Sequence, residues 1–573
     1  MRSARNLILQ AALAGLLTGC AGLPGDLPTD SAQATPDQAV TAGTPGPGLS
    51  ADLLYDILVG EVAGQRGRLD LAFAHYFKAA QVSRDPQAAE RASRIAAFLK
   101  DQSAGIKAVD LWVELAPQSE AARQVAAVLY LRKGDTANTL AQLDAFLKLP
   151  GEESDARFVQ VAALLGKEND QPRALQVMRD LVARYPDSPE AAHAYALLAA
   201  QDQDYAEAER SIRRVIEARP EWADARILLS HILTHEGDPE GARQVLVEGL
   251  KKTADSRSLR VAYARLLIED KDYPGARKQF LSVLEQHPDD VETLYALGIL
   301  ALQQEQPEEA RSYFEELVDD PDHGDEAAYF LGQIAEDGGD AEAAIGWYGR
   351  VGPGRFLVEA VIRQARLLGQ QGQVDRGREL LWQLRARAPQ IGARLFQAEA
   401  ELLSAAGRDV EALAVYDEAL RASPDDADLL YARALLAVKL GHLDILERDL
   451  GKIIAADPTH ADALNALGYT LADQTDRYPE ALGYIERALA LKPDNAAILD
   501  SMGWVQYRLG HLREAEEYLR RAHQITPDGE IAAHLGEVLW ALGERTEARD
   551  VWQRALTAEP DSEPLRQVMD RFK

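Results

Sequence analysis

His231 and His235 lie four residues apart and are followed by Glu236. On one helix face such a pair could ligate zinc. The order is wrong for a zinc protease, whose glutamate follows the first histidine, and no third ligand lies nearby. The pair therefore reads as one groove-facing and one turn histidine. The turn Glu336-Asp337-Gly338-Gly339-Asp340 is acidic but lacks the ligand spacing of a calcium loop. Cys20 is the only cysteine, which removes disulfides, thiol nucleophiles and thiolate metal sites. No Gly-x-Ser-x-Gly elbow and no phosphate-binding Gly-Lys-Ser/Thr loop occurs. Paired carboxylates are so frequent that none stands out as a general acid or base. The expectation is a chain with no catalytic, cofactor-binding or metal-ligating residues.

The elements that carry these residues are set by a ladder of prolines. Pro117, Pro150, Pro186, Pro220, Pro288, Pro321, Pro353, Pro389, Pro424, Pro458, Pro493, Pro527 and Pro560 recur about every 34 residues, with Ala254 in the one empty slot. Twelve positions before most rungs is a small residue: Ala174, Ala208, Ala276, Ala412, Ala481, Ala515, Ala548. Five before them stand Leu181, Val215, Val283, Ala419, Ala488, Ala522 and Ala555, and between the two sets Met178, Ile212, Phe280, Tyr416, Ile485, Leu519 and Trp552. Positions 0, +4 and +7 share one helix face. Small residues let a second helix approach the first, the large one fills the gap, and proline ends that helix or opens the next.

Leu499, Met502, Gly503, Gly510, Ala515, Leu519, Ala522 and Pro527 resemble the tetratricopeptide pattern W-x2-L-G-x2-Y, A-x3-F-x2-A, P. The resemblance runs from about residue 51 to the end. It is strongest in 390–573, where a capping helix, Leu565–Lys573, is expected after Pro564. It is degenerate through 117–389, where Gly352, Pro353 and Gly354 shorten one unit, and atypical in 51–116. It implies an all-α fold: a helix-turn-helix solenoid, a right-handed superhelix of roughly 11 to 15 repeats. Repeats over this span leave no length for a catalytic domain, so function is sought in surfaces.

The N-terminus suggests an address. Arg2 and Arg5 precede an apolar run, Leu7–Leu17, too short to span a bilayer. Leu17-Thr18-Gly19-Cys20 resembles the lipobox of bacterial lipoproteins. That implies a signal peptide over 1–19, acylation of Cys20 and, with Ala21 next, the outer membrane of a Gram-negative bacterium, facing the periplasm. The acylated Cys20 and a Pro- and Gly-rich linker fill 20–50; the linker buries too little to fold and spans roughly 30 Å as a coil.

Sixty-two Lys and Arg against 92 Asp and Glu give a net charge of −30. This argues against nucleic acid and against lying on anionic lipid, so any membrane contact is through the N-terminal lipid alone. In the family the first helix of each pair lines a concave groove. Aligning on glycines and prolines places Asn465, Tyr469, Asp500, Trp504, Tyr507 and Trp540 there. Asn465 matches one position of the terminal-carboxylate clamp some members carry, but the Lys and Arg of that clamp are missing.

The opening helix pair is distinctive. Leu54, Tyr55, Leu58, Glu61 and Arg66, followed by Ala72, Tyr76, Asp85-Pro86 and Ala89-Glu90-Arg91-Ala92, resemble the start of gammaproteobacterial tetratricopeptide lipoproteins that serve as binding partners of a periplasmic carboxyl-terminal processing protease. The resemblance implies an adaptor that holds the protease and presents substrates such as peptidoglycan hydrolases. The alternative is an assembly factor for outer-membrane proteins, pili or exported polysaccharide.

Overall fold

The computed structural model describes residues 50–99, 101–150 and 154–572. Cys20, the signal segment and all of the linker except Ser50 lie outside these residues. The described residues form thirty-one α-helices and one short 3₁₀ turn, Pro389–Ile391, with no strand. In chain order they are fifteen helix-turn-helix pairs and a last single helix, Glu563–Arg571. The all-α repeat architecture is as expected, at the upper end of the expected count. No described helix is long and apolar enough to cross a membrane.

The ladder acts at the ends of second helices. Pro117, Pro220, Pro424, Pro493 and Pro560 each follow the residue that caps such a helix. There a ring without an N–H stops the next turn. In the empty slot, Thr253 caps the helix and its Oγ1 donates to Gly249 O at 3.1 Å. Every small, large and small residue of the repeated triplet is buried, Ala174, Met178 and Leu181 completely. Gly468 and Gly503 show how tight the fit is. A Cβ at Gly468 would lie 2.6 Å from Ile485 Cγ1, and one at Gly503 would lie 2.5 Å from Leu519 Cγ. Gly510, at φ +87°, makes the turn between helices that an L side chain resists.

Part of the acidic charge serves the helix starts. Asp135, Asp170, Asp204, Asp238, Asp272, Asp290, Asp340, Asp426 and Asp528 each accept the N–H of the residue three positions on. A carboxylate there satisfies an orphan donor and complements the positive end of the helix dipole.

The chain divides into two compact units, one up to Glu316 and one from Leu317. In the first, a continuous core runs from Ala127 to Leu266. Arg157, only 2% exposed, donates to the carbonyls of Leu149 and Pro150 and pairs with Glu120. In the second unit one core runs from Ala400 to Val505, and a second, from Ala515 to Val568, joins the last four helices. The shortened unit is the eight-residue helix Ala341–Tyr348, after which Phe356 stacks on Tyr329 at 4.3 Å. The terminal helix starts two residues earlier than expected, at Glu563. Pro564 sits inside its first turn, where a missing N–H costs nothing.

Candidate protein-binding groove

Residues one repeat apart in the second unit stand side by side on successive first helices. Asn465, Asp500 and His534 occupy corresponding positions on Ala461–Gln474, Ala496–Arg508 and Gly529–Ala541. His534 Nδ1 lies 3.0 Å from both carboxylate oxygens of Asp500. Trp504, one turn beyond Asp500, stacks on the His534 ring at 4.2 Å. The Tyr469 hydroxyl donates to Glu530 at 3.0 Å. Asn465, Tyr469, Asp500 and Glu530 line one pocket of about 600 Å³.

The electrostatics are those of a negative site. Burial pushes the Tyr469 hydroxyl far above its usual value, and the carboxylates of Glu530, Asp473 and Asp500 push the same way. Burial pulls the His534 imidazole down, but Asp500, with Glu530 and Asp473 behind it, more than offsets this and leaves it raised. The Asn465 Oδ1 is buried without a hydrogen-bond partner.

Of the six residues expected in the groove, Asn465, Tyr469 and Asp500 line this pocket. Trp504 packs behind Asp500, 7% exposed, with its Nε1 buried and unpartnered. The Tyr507 ring lies 5.3 Å from Trp504, and its hydroxyl donates to Glu537 at 3.4 Å. Trp540 turns to the chain end, against Trp552 at 5.9 Å and Phe572 at 5.6 Å, so it closes the last core. His534 and Glu530 join the site although no motif marks them in the sequence. His534 was discoverable, because it follows Asp500 by one repeat length. Glu530 was not, because it meets Tyr469 across two repeats.

The other residues singled out for chemistry have structural partners. His235 stacks on Tyr205 at 5.3 Å, and burial pulls the His231 imidazole down. Glu336 takes hydrogen bonds from Tyr348, Arg363 and Arg366, and Asp340 caps a helix. Among the described residues no cluster of three His, Cys, Asp or Glu is placed to hold a metal ion.

At the other end, the Ala51–Gln65 helix turns apolar side chains to solvent. Leu54 is 47% exposed, Tyr55 61%, Leu58 55% and Val62 45%. Their spacing puts all four on one side of the helix. Its inner side is fixed by Asp56, buried and paired with His75 at 2.7 Å and Lys78 at 2.9 Å. The Lys78 bond, opposed by burial and aided by His75, holds the Asp56 carboxyl below its usual value. Glu61 is engaged within the fold, accepting from Tyr76 and Arg91. Arg66 caps the helix end and is exposed.

Tetratricopeptide repeat models match residues 125–189, 261–325, 295–351, 362–427, 431–496 and 501–563, and a second such model matches 199–266. The chain is 42% identical over 527 residues to TPR repeat-containing protein PA4667 of Pseudomonas aeruginosa, covering 91% of this chain and 88% of that one. A 218-residue stretch is 26% identical to human Protein O-mannosyl-transferase TMTC1, over 37% of this chain and 24% of that protein. Among solved structures, the APC/C hetero-tetramer Cut9-Hcn1 is similar at 14% identity and a TM-score of 0.34, over 91% of this chain and 96% of that one. The chain belongs to the tetratricopeptide repeat family, and its stacked helix pairs are a scaffold for protein–protein interaction.

Proposed function

We propose that this scaffold is a lipid-anchored adaptor on the periplasmic face of an outer membrane. It binds a carboxyl-terminal processing protease through its first helices and presents substrates, peptidoglycan hydrolases among them, along its groove. The observation that carries this reading is the apolar stripe Leu54, Tyr55, Leu58 and Val62. A terminal repeat normally turns a polar face to water, and an exposed apolar patch marks an interaction site. Cys20, in its lipobox-like context, supplies the anchor. Two partners held on one scaffold meet at a raised effective concentration with no chemistry from the scaffold itself.

Co-purification from detergent-solubilised envelopes tests this. The wild-type chain is expected to bring down a serine protease and cell-wall hydrolases. Leu54→Glu with Leu58→Glu is expected to lose the protease, as is deletion of 51–100, while groove partners stay. Recovery of porins, a pilus secretin or polysaccharide exporters in place of the protease would favour the assembly-factor reading. Retention of the protease by both variants would refute the division of labour.

A further inference from the structure

The glycine of the first helix marks equivalent places from pair to pair. Gly60 faces Tyr76 as Gly503 faces Leu519 and Gly536 faces Trp552. Counted from that glycine, Tyr55, Leu58 and Val62 stand five before, two before and two after. The same places hold Ile498, Ser501 and Val505 in one later pair, and Ile531, His534 and Val538 in the next. All six are buried, none more than 9% exposed. What buries them is the pair before. Ile531 shares a core with Leu499 and Ala522, and Val538 shares one with Ala515 and Leu519. His534 is held by Asp500 and Trp504. Tyr55, Leu58 and Val62 therefore occupy stacking positions, and no described pair precedes them.

The two ends of the array differ. At the C-terminal end the single helix Glu563–Arg571 lays Leu565 and Val568, both buried, on the core that holds Trp552. At the N-terminal end the stacking positions carry large apolar side chains that no described helix covers. A face of this kind, left open, fits an element brought by another molecule.

We propose that this face receives an α-helical hairpin of the partner protein, stacked as one more helix pair ahead of the first. The proposal rests on the adaptor reading, in which the opening helices bind the partner, and names the element recognised. The occupant follows from the interface that the face continues. Ala461–Gln474, Ala496–Arg508 and Gly529–Ala541 each pack on both helices of the pair before. A helix satisfies its own backbone groups, whereas an extended segment would set unpaired N–H and C=O groups against apolar side chains. A second copy of this chain does not supply the pair head to tail, because its last face is covered by Glu563–Arg571. Residues 21–49 do not supply it either. Their prolines leave no run longer than eight residues, against 14 in Ala461–Gln474.

The test uses the full chain in the cell envelope, with photoreactive benzoylphenylalanine in place of Tyr55, Leu58 or Val62 in turn. Each is exposed, so the probe disturbs no core. After irradiation, mass spectrometry maps the partner residue joined to each probe. The expected result is one partner protein whose joined residues lie three, four or seven apart in one run, or in two such runs linked by a short turn. Leu58→Lys is expected to lower joining at Val62 about tenfold or more, with an unchanged circular dichroism spectrum. A probe at Trp382, exposed on Val374–Arg387, is expected to join that partner about tenfold less than the probe at Leu58 does. Joined residues two apart, as in a strand, or scattered through the partner's sequence would overturn the proposal. So would joining to residues 51–65 of a second copy, to residues 21–49 of the same chain, or to no protein at all. Helical spacing in a protein that is not a protease would leave the hairpin standing and remove the protease. A protease joined at strand spacing would do the reverse.

Discussion

One substitution, made at two glycines of a single helix pair, should act with opposite sign. Gly468 lies on the first helix of the pair and Gly483 on the second. In an exposed helix interior, alanine is better than glycine by about 0.5 to 1 kcal/mol, because it restricts the unfolded chain. At Gly483 a new Cβ meets nothing within 4 Å, so Gly483→Ala should stabilise by about that amount. At Gly468 the same atom would lie 2.6 Å from Ile485 Cγ1, 2.9 Å from the Ala481 carbonyl oxygen and 3.2 Å from Tyr484 Cβ. Ile485 is fully buried and a backbone oxygen does not rotate away, so the two helices must separate. Overpacking of this kind costs about 1 to 3 kcal/mol, which at the middle of both ranges outweighs the gain and leaves Gly468→Ala destabilised by about 1 kcal/mol. A repeat array opens in parts, so the suitable assay is hydrogen exchange followed by mass spectrometry on peptides within 461–491. Slower exchange is expected for Gly483→Ala and faster exchange for Gly468→Ala. Slower exchange in both would refute the reasoning, because it would mean that the helices do not meet at Gly468.

Trp552→Ala empties a site that is 1% exposed between Trp540 and Phe572. It should cost about 3 to 5 kcal/mol, read as loss of exchange protection across 529–571 with little change before 460. His534 gains a buried carboxylate partner on folding and holds its proton more tightly than in the unfolded chain. The stabilisation is therefore complete below the unfolded value of about 6.5 and is lost as pH rises through the higher folded value. Exchange protection of the wild type over His534→Gln should be widest at pH 5 to 6 and narrow toward pH 9; a gap that widens with pH would contradict the pairing. Cys20→Ser should move the protein from the membrane fraction to the soluble periplasmic extract with its helical circular dichroism unchanged. Continued sedimentation with membranes would argue against lipid as the anchor.

The repeat itself was legible because its period is written in residues that only one packing tolerates. Ala481, Ile485 and Ala488 recur as Ala515, Leu519 and Ala522, and each triplet is buried as its spacing requires. The pair count and the start of the last helix were less legible. Weakly patterned segments such as 102–115 and 341–348 still fold as helices because their neighbours offer them a face. For the groove, alignment by period located Asn465, Tyr469 and Asp500. It could not tell that Trp540 turns to Trp552 and Phe572, because Phe572 follows the single helix Glu563–Arg571, which is not the first helix of a repeated pair. The apolar opening helix was visible as Leu54, Tyr55 and Leu58, whereas the role of Asp56 in fixing its inner side depends on His75 and Lys78 one helix later.

Many cations in this acidic chain reach across about one repeat to a carboxylate on a neighbouring one. Arg84 meets Glu114, Arg132 meets Glu168, Arg257 meets Asp290, Arg408 meets Asp375, Lys439 meets Asp409, Arg477 meets Glu447 and Arg513 meets Glu544. These seams between repeats are thus stitched by ion pairs, most of them near water where salt weakens them and two, at Glu168 and Asp290, ending on a buried carboxylate, over a core that salt does not weaken. Mechanically this describes a spring of small bodies whose compliance is set by ionic strength. Under tension the seams should yield one at a time, sooner in concentrated salt, while each helix pair stays folded. A tether built in this way would take up strain between two anchored partners without letting go of either.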